Sequence, residues 1–122
     1  MEVNRLFIDL LTNSGRIETV PLPPDVVNAL SSLVECPDAY FRRTASSALV
    51  PVELLVASRI RNEGVINANR LMLLAAKGAV SKRSPVRIRR VHSRFLVLDG
   101  NSTFINAKFS NWQTLLCEIV QC

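Results

Sequence analysis

Cysteine, histidine and glycine are scarce in this chain, and each scarcity closes off a class of chemistry. Three cysteines, Cys36, Cys117 and Cys122, form no CxxC pair and leave an odd thiol, so neither a zinc knuckle nor a disulfide framework is implied. A reducing cytoplasm fits that usage. The lone histidine, His92, has no cysteine or second histidine near it in sequence to complete a metal set, and reads as a solvated residue at a strand end; no metal site is assigned. The longest apolar run, Leu71 to Ala76, is far short of the roughly 20 residues that cross a bilayer, and Glu2, Arg5 and Asp9 interrupt any signal-peptide core. No membrane partner is expected. What remains is 122 residues with 48% hydrophobic and 20% charged side chains, enough for one packed domain.

The net charge of +5 is unevenly spread. Residues 1–58 carry four basic and seven acidic side chains, net −3, whereas residues 59–94 carry ten basic side chains against Glu63 alone, net +9. Eight of those ten are arginine, whose planar fork matches phosphate oxygens better than an ammonium does. An anionic ligand is expected, with a merely solvated basic face as the competing explanation.

Along the chain, Leu6 to Leu11 and Arg16 to Val20 flank the turn cluster Asn13-Ser14-Gly15 and read as a hairpin, with a helix capped at Gly15 as the alternative. Pro23-Pro24-Asp25 starts a helix whose Val26, Val27, Leu30, Leu33 and Val34 share one face, ended by Cys36-Pro37. A further helical turn over Asp38 to Ala45 carries Arg42 and Arg43. From Ala48 the expected order is strand, loop, helix, strand, strand, helix, strand: Leu49 to Val52, the polar loop Ala57 to Gly64, a helix from Asn67 to Lys77 capped by Gly78, Val86 to Val91, Phe95 to Leu98, Thr103 to Phe109, and Thr114 to Val120. In Val86 to Val91, Arg87 and Arg89 alternate with apolar residues, so one sheet face is basic. Trp112, Phe104 and Cys117 read as core residues.

The segment Asp99-Gly100-Asn101-Ser102-Thr103 joins a buried strand to a helix start. Unpaired amides and the positive end of the helix dipole converge at such a turn, which is the arrangement that binds phosphate; an ordinary capped turn is the plainer reading. Ser102 or Thr103 is the expected helix cap. Arg59 and Arg61, in the polar loop, are candidates to reach the same anion. Asp99 is a candidate metal ligand or base, or simply an acceptor within its own turn.

The stretches Val50-Pro51-Val52-Glu53-Leu54-Leu55-Val56, Pro85-Val86-Arg87-Ile88, Phe95 to Thr103 and Trp112-Gln113-Thr114, in this order, resemble the ParB/sulfiredoxin-like superfamily over residues 48–120. In that family a Gly, two polar residues and an Arg at the helix start bind nucleotide phosphates. Members include partition proteins that bind DNA and CTP, sulfinic acid reductases, free-serine kinases and ParB-like nucleases. The resemblance places Gly100 on the motif Gly and Asn101 and Ser102 on the polar pair. Thr103 stands where the family has Arg, so the guanidinium has to come from Arg59, Arg61 or another arginine. Asn101 stands at the reactive cysteine of sulfiredoxins, which argues against that chemistry.

The expectation is therefore an α+β fold: a small mixed sheet with packed helices over residues 48–122, and residues 1–47 as an N-terminal extension packed on it. The ligand-binding candidates are Gly100, Asn101, Ser102, Thr103, Arg59 and Arg61, with Lys82, Arg83, Arg87, Arg89 and Arg90 as the nucleic-acid surface. The leading function is DNA or nucleotide binding. An ATPase, phosphotransferase or nuclease using Asp99 or Glu63, and a degenerate protein-binding relative, are the alternatives. The cofactor stays open, a nucleotide with magnesium being the one the resemblance implies.

Overall fold

Gly15, at φ +83°, turns the chain between β1 (Phe7–Leu11) and β2 (Ile17–Pro21), and Thr12 closes the turn by donating its amide to Arg16 O at 2.9 Å. The hairpin reading holds, and the alternative helix does not form. The computed structural model describes residues 6–121, an α+β fold that continues through α1 (Pro24–Ala29), α2 (Pro37–Tyr40), β3 (Ser47–Pro51), a 3-10 turn (Val52–Leu54), β4 (Leu55–Val56), α3 (Asn62–Ala76), β5 (Val86–Val91), β6 (Arg94–Asp99), α4 (Asn101–Phe109) and β7 (Thr114–Ile119). Five strands make a mixed sheet in the order β3-β7-β5-β6-β4, antiparallel at β3/β7 and β5/β6 and parallel at β5/β7 and β4/β6. The hairpin abuts this sheet just past β4, where Ala57 donates to Asp9 O at 2.8 Å and accepts from Leu11 N at 2.9 Å.

Residues ahead of β3 do not form a separate layer. Leu22, Val26, Leu33, Tyr40 and Phe41 are buried in the same core as Val65, Met72, Phe104, Ile105 and Leu115. Trp112 lies against Tyr40 and Phe41, with ring centroids 5.3 and 6.5 Å away. Trp112, Phe104 and Cys117 are core residues as expected, and burial pushes the Cys117 thiol up to about 12. Cys122 lies outside the described residues.

The long helix expected from Pro24 to Val34 is corrected: α1 ends at Ala29, and Leu30 is extended at φ −92°, ψ 142°. Tertiary bonds take the place of helical ones. The Asn69 side chain accepts from Ser31 N at 3.1 Å and donates to Ser31 O at 2.8 Å, while Leu33 accepts from Trp112 Nε1 at 2.8 Å. A continued helix would leave buried Asn69 Oδ1 and Trp112 Nε1 without these partners, a cost of about 1–3 kcal/mol per group. Leu33 is buried, but Val34 is 78% exposed. The turn expected over residues 38–45 also stops early, at Tyr40, because Phe41 turns extended and pairs with Arg83 as an isolated bridge.

Two helices begin earlier than their sequences suggest. Helix α3 starts at Asn62 rather than Asn67, and α4 at Asn101 rather than Thr103. In both cases a glycine near the start looked like loop; its role is spatial, as described below. The far end of α3 stops as expected, with Gly78 at φ +76° and Ala79 N bonded to Leu74 O at 2.9 Å. A buried pair locks α3 to α4: Asn69 Nδ2 donates to Asn106 Oδ1 at 2.7 Å, and Asn106 Nδ2 donates to Val65 O and Ser102 O at 3.0 and 2.9 Å.

Asp9 ties the hairpin to β6 through Arg94 Nη2 at 2.9 Å and accepts from Thr19 Oγ1 at 2.7 Å. The Thr19 hydroxyl, then Arg94, hold its carboxyl below the usual value of 3.8. As pH falls the unfolded chain takes up this proton first, so the stability Asp9 contributes is full above its unfolded value and is lost on descending through the folded one. Urea denaturation of Asp9→Asn should show a deficit against the parent at pH 6 that closes as pH drops below 3.8; a deficit constant with pH would contradict it.

Candidate anion site

The turn leaving β6 is made by Gly100 at φ +99°, a left-handed conformation, and a β-carbon there would meet Val86 Cγ2 at 3.0 Å. Backbone strain and crowding both require glycine at this position. The first intrahelical bond of α4 runs from Phe104 N to Gly100 O at 2.9 Å, which leaves the amides of Asn101, Ser102 and Thr103 without helical acceptors. No side chain caps them. The expected cap from Ser102 or Thr103 is thereby corrected: both residues lie inside the first turn, beyond the capping position.

A second helix start faces the same space. Val65 N bonds to Arg61 O at 2.9 Å as the first bond of α3, freeing the amides of Asn62, Glu63 and Gly64, again without a side-chain cap. The two first turns nearly touch, since a β-carbon on Gly64 would lie 3.0 Å from Ser102 Oγ. A side chain at this position would press on the Ser102 hydroxyl and fill the space between the two helix starts.

Between them opens a cleft of about 190 Å³ lined by Arg59, Arg61, Arg83, Asp99 and the Gly100 to Thr103 turn. Of the six free amides, those of Gly64, Asn101, Ser102 and Thr103 belong to residues that line the cleft beside the three arginines. Among the described residues, ion pairs form only at Arg43–Asp38 and Arg94–Asp9, so no carboxylate neutralises these guanidinium groups at contact distance. Arg83 is half-buried, and desolvation pulls its pKa below the ordinary arginine value, with Asp99 acting in the opposite direction. Its Nε donates to Thr103 Oγ1 at 3.1 Å, and its backbone is clamped by Tyr40 and Arg42: Arg83 N donates to Tyr40 O at 2.7 Å and Arg42 N to Arg83 O at 2.9 Å.

Gly100, Ser102, Thr103, Arg59 and Arg61 come together in the cleft, and so does Asn101, but its side chain is occupied. Asn101 Oδ1 accepts from Ser58 N at 2.9 Å and Nδ2 donates to Ser58 Oγ at 3.0 Å, while Ser58 Oγ donates to Val97 O at 2.6 Å. Asn101 is a positioning residue: it holds the arginine loop against the α4 start and offers an anion only its amide. Asp99 lines the cleft; Glu63, in the first turn of α3, does not. Lys82 and Arg83 sit beside the turn, in an adjoining cleft that Arg42 also lines. On the basic strand Arg87, Arg89 and Arg90 are all exposed, while Val86 and Ile88 are buried. Arg89 and Arg90 line a separate open depression of about 660 Å³, where Arg90 lies 5.6 Å from the Phe95 ring centre.

Sequence reasoning missed Arg42 and the role of Arg83. The signal for Arg83 was the vacancy left by Thr103 at the resembled motif. A larger depression of about 610 Å³ beside Trp112 and Lys108 brings together no comparable set of donors.

No family model matches the chain, and no curated protein matches it. Among solved structures it is similar to SbnI with a C-terminal truncation from Staphylococcus aureus, with a TM-score of 0.51 and 17% identity, over 62% of this chain and 31% of that one. The chain thus spans about a third of that structure, and at this identity the likeness concerns the fold.

Replacing Asn101 by Ala should lower stability by about 1–3 kcal/mol in urea denaturation, because Ser58 loses two partners, and should speed amide exchange of Ser58. Unchanged stability and exchange would remove the positioning role.

Proposed function

We propose that this chain is a ParB/sulfiredoxin-like binding module that holds phosphate groups of a nucleotide or of DNA at the corner between α3 and α4. The observation that carries this reading is the convergence of two uncapped helix starts and three carboxylate-free arginines on one cleft. Helix-start amides complement phosphate oxygens, and guanidinium forks add charge-assisted bonds of about twice the strength of neutral ones. Arg83, bonded to Thr103, supplies the guanidinium that the resembled family carries at the position of Thr103 itself. That substitution favours a working site over a degenerate one.

Binding is favoured over catalysis for a chemical reason. Asp99 is the one carboxylate among the described residues lining the cleft, and its charge faces Arg83. Phosphoryl transfer ordinarily needs a second group to orient the nucleophile or hold a metal. In this reading Asp99 acts on Arg83 through its charge, without a contact ion pair. A cytoplasmic setting belongs to the same proposal, in keeping with Cys36 and Cys117 as free thiols. Among the described residues no helix is long and apolar enough to cross a membrane.

Inorganic pyrophosphate at about 100 times its Kd should raise the melting temperature by roughly 5–10 °C. The double variant Arg61→Gln/Arg83→Gln should lose most of that shift while still unfolding in one cooperative transition without ligand, at a somewhat lower temperature because Thr103 loses its partner. A shift that survives in full in the variant would exclude this corner.

A further inference from the structure

The cleft at the α3/α4 corner does not end at Gly100. A second cleft of about 330 Å³ adjoins it, and the two share Arg83, Asp99, Gly100 and Thr103 as walls, so they are two arms of one groove. Arg42, Lys82 and Ser84 line the second arm. Its cations are held in place by backbone. Residues 40–42 run beside Arg83, with Phe41 and Arg83 paired as a bridge, which fixes Arg42 one residue from the Arg83 clamp. Lys82 Nζ donates to the Asp38 carbonyl at 2.5 Å, while the Asp38 carboxylate is taken by Arg43 at 2.6 Å. The lysine is thus anchored by a neutral oxygen and not by a carboxylate. Arg42, like the arginines of the first arm, has no carboxylate at contact distance among the described residues.

The groove is as informative for what it lacks. No aromatic side chain lines either arm, and Pro85 and Val86 are its apolar residues. Mononucleotide pockets hold the base on apolar or aromatic surface, and base stacking on an aromatic ring contributes about 1–3 kcal/mol. This groove provides donors and positive charge over two connected arms, with no place for a base. From these observations we infer that Arg42 and Lys82 form a second phosphate subsite, and that the ligand is a nucleic-acid strand held by successive backbone phosphates with its bases turned outward. The inference rests on the phosphate-binding reading of the corner and names its ligand class. Such contacts fix the position of a strand without reading its sequence.

The test uses the full chain, fluorescence anisotropy and two labelled eight-unit probes, oligo-dT and an abasic phosphodiester of equal length, with ATP and CTP as competitors. The expected result is that the abasic probe binds within about threefold of oligo-dT and that both bind at least about tenfold more tightly than either mononucleotide. Arg42→Gln/Lys82→Gln, two exposed positions, should weaken the oligomers by about tenfold and reduce the slope of log affinity against log salt by about one per lost contact. The pyrophosphate-induced melting shift should remain that of the parent. ATP or CTP binding more tightly than the oligomers, or oligomer affinity and salt slope unaltered in the double variant, would overturn the inference while leaving the corner site standing. Absence of the pyrophosphate shift in the parent would overturn both.

Discussion

Helix α3 and helix α4 present their first turns to each other at Gly64 and Ser102, and the candidate site depends on that approach. A β-carbon on Gly64 would lie 3.0 Å from Ser102 Oγ, so a side chain there would crowd the hydroxyl and fill the space between the two starts. Like ends of helix dipoles repel, so the arrangement needs restraint from elsewhere. Buried Asn69 and Asn106 supply it, bonding α3 to α4 and to Ser31. A bound anion would relieve the same repulsion, which links the packing of the core to the chemistry of the cleft.

Arg83 connects the remaining parts. It approaches from the segment between α3 and β5, is half desolvated, and ends on the Thr103 hydroxyl. Its main chain is paired to Tyr40 and Arg42, so the residues ahead of β3 contribute to the site as well as to the core. An exposed arginine samples many rotamers and loses that freedom when it binds. One that is already clamped and bonded has less to lose, so under the proposed phosphate-binding function Arg83 is favoured over the exposed Arg59 and Arg61.

The strands and the hairpin were largely legible in the sequence, because alternation in Val86 to Val91 and the Asn13-Ser14-Gly15 turn are local signals. Helix limits were less so. Gly64 and Gly100 have the composition of loop residues, yet one lies within α3 and the other immediately precedes α4, each chosen for the space around it. The periodicity of Val26 to Val34 misled for a related reason: Asn69 and Trp112 recruit the backbone of Ser31 and Leu33 from outside the segment. At the site, Gly100, Ser102, Thr103, Arg59 and Arg61 could be assembled from the motif and the charge pattern. The clamp on Arg83 could not, because it pairs residues 41 and 83 across the fold, and nothing in either stretch announces the other.

The central claim is that the amides at the start of α4, together with the Arg83 guanidinium, face a phosphate. Two-dimensional amide and arginine Nε spectra of the labelled chain, titrated with inorganic pyrophosphate, address it residue by residue. The largest shifts are predicted at Gly64, Ser102, Thr103 and Arg83 Nε, saturating with one binding curve. Shifts concentrated instead at Arg89 and Arg90, with the α4 start unmoved, would contradict it.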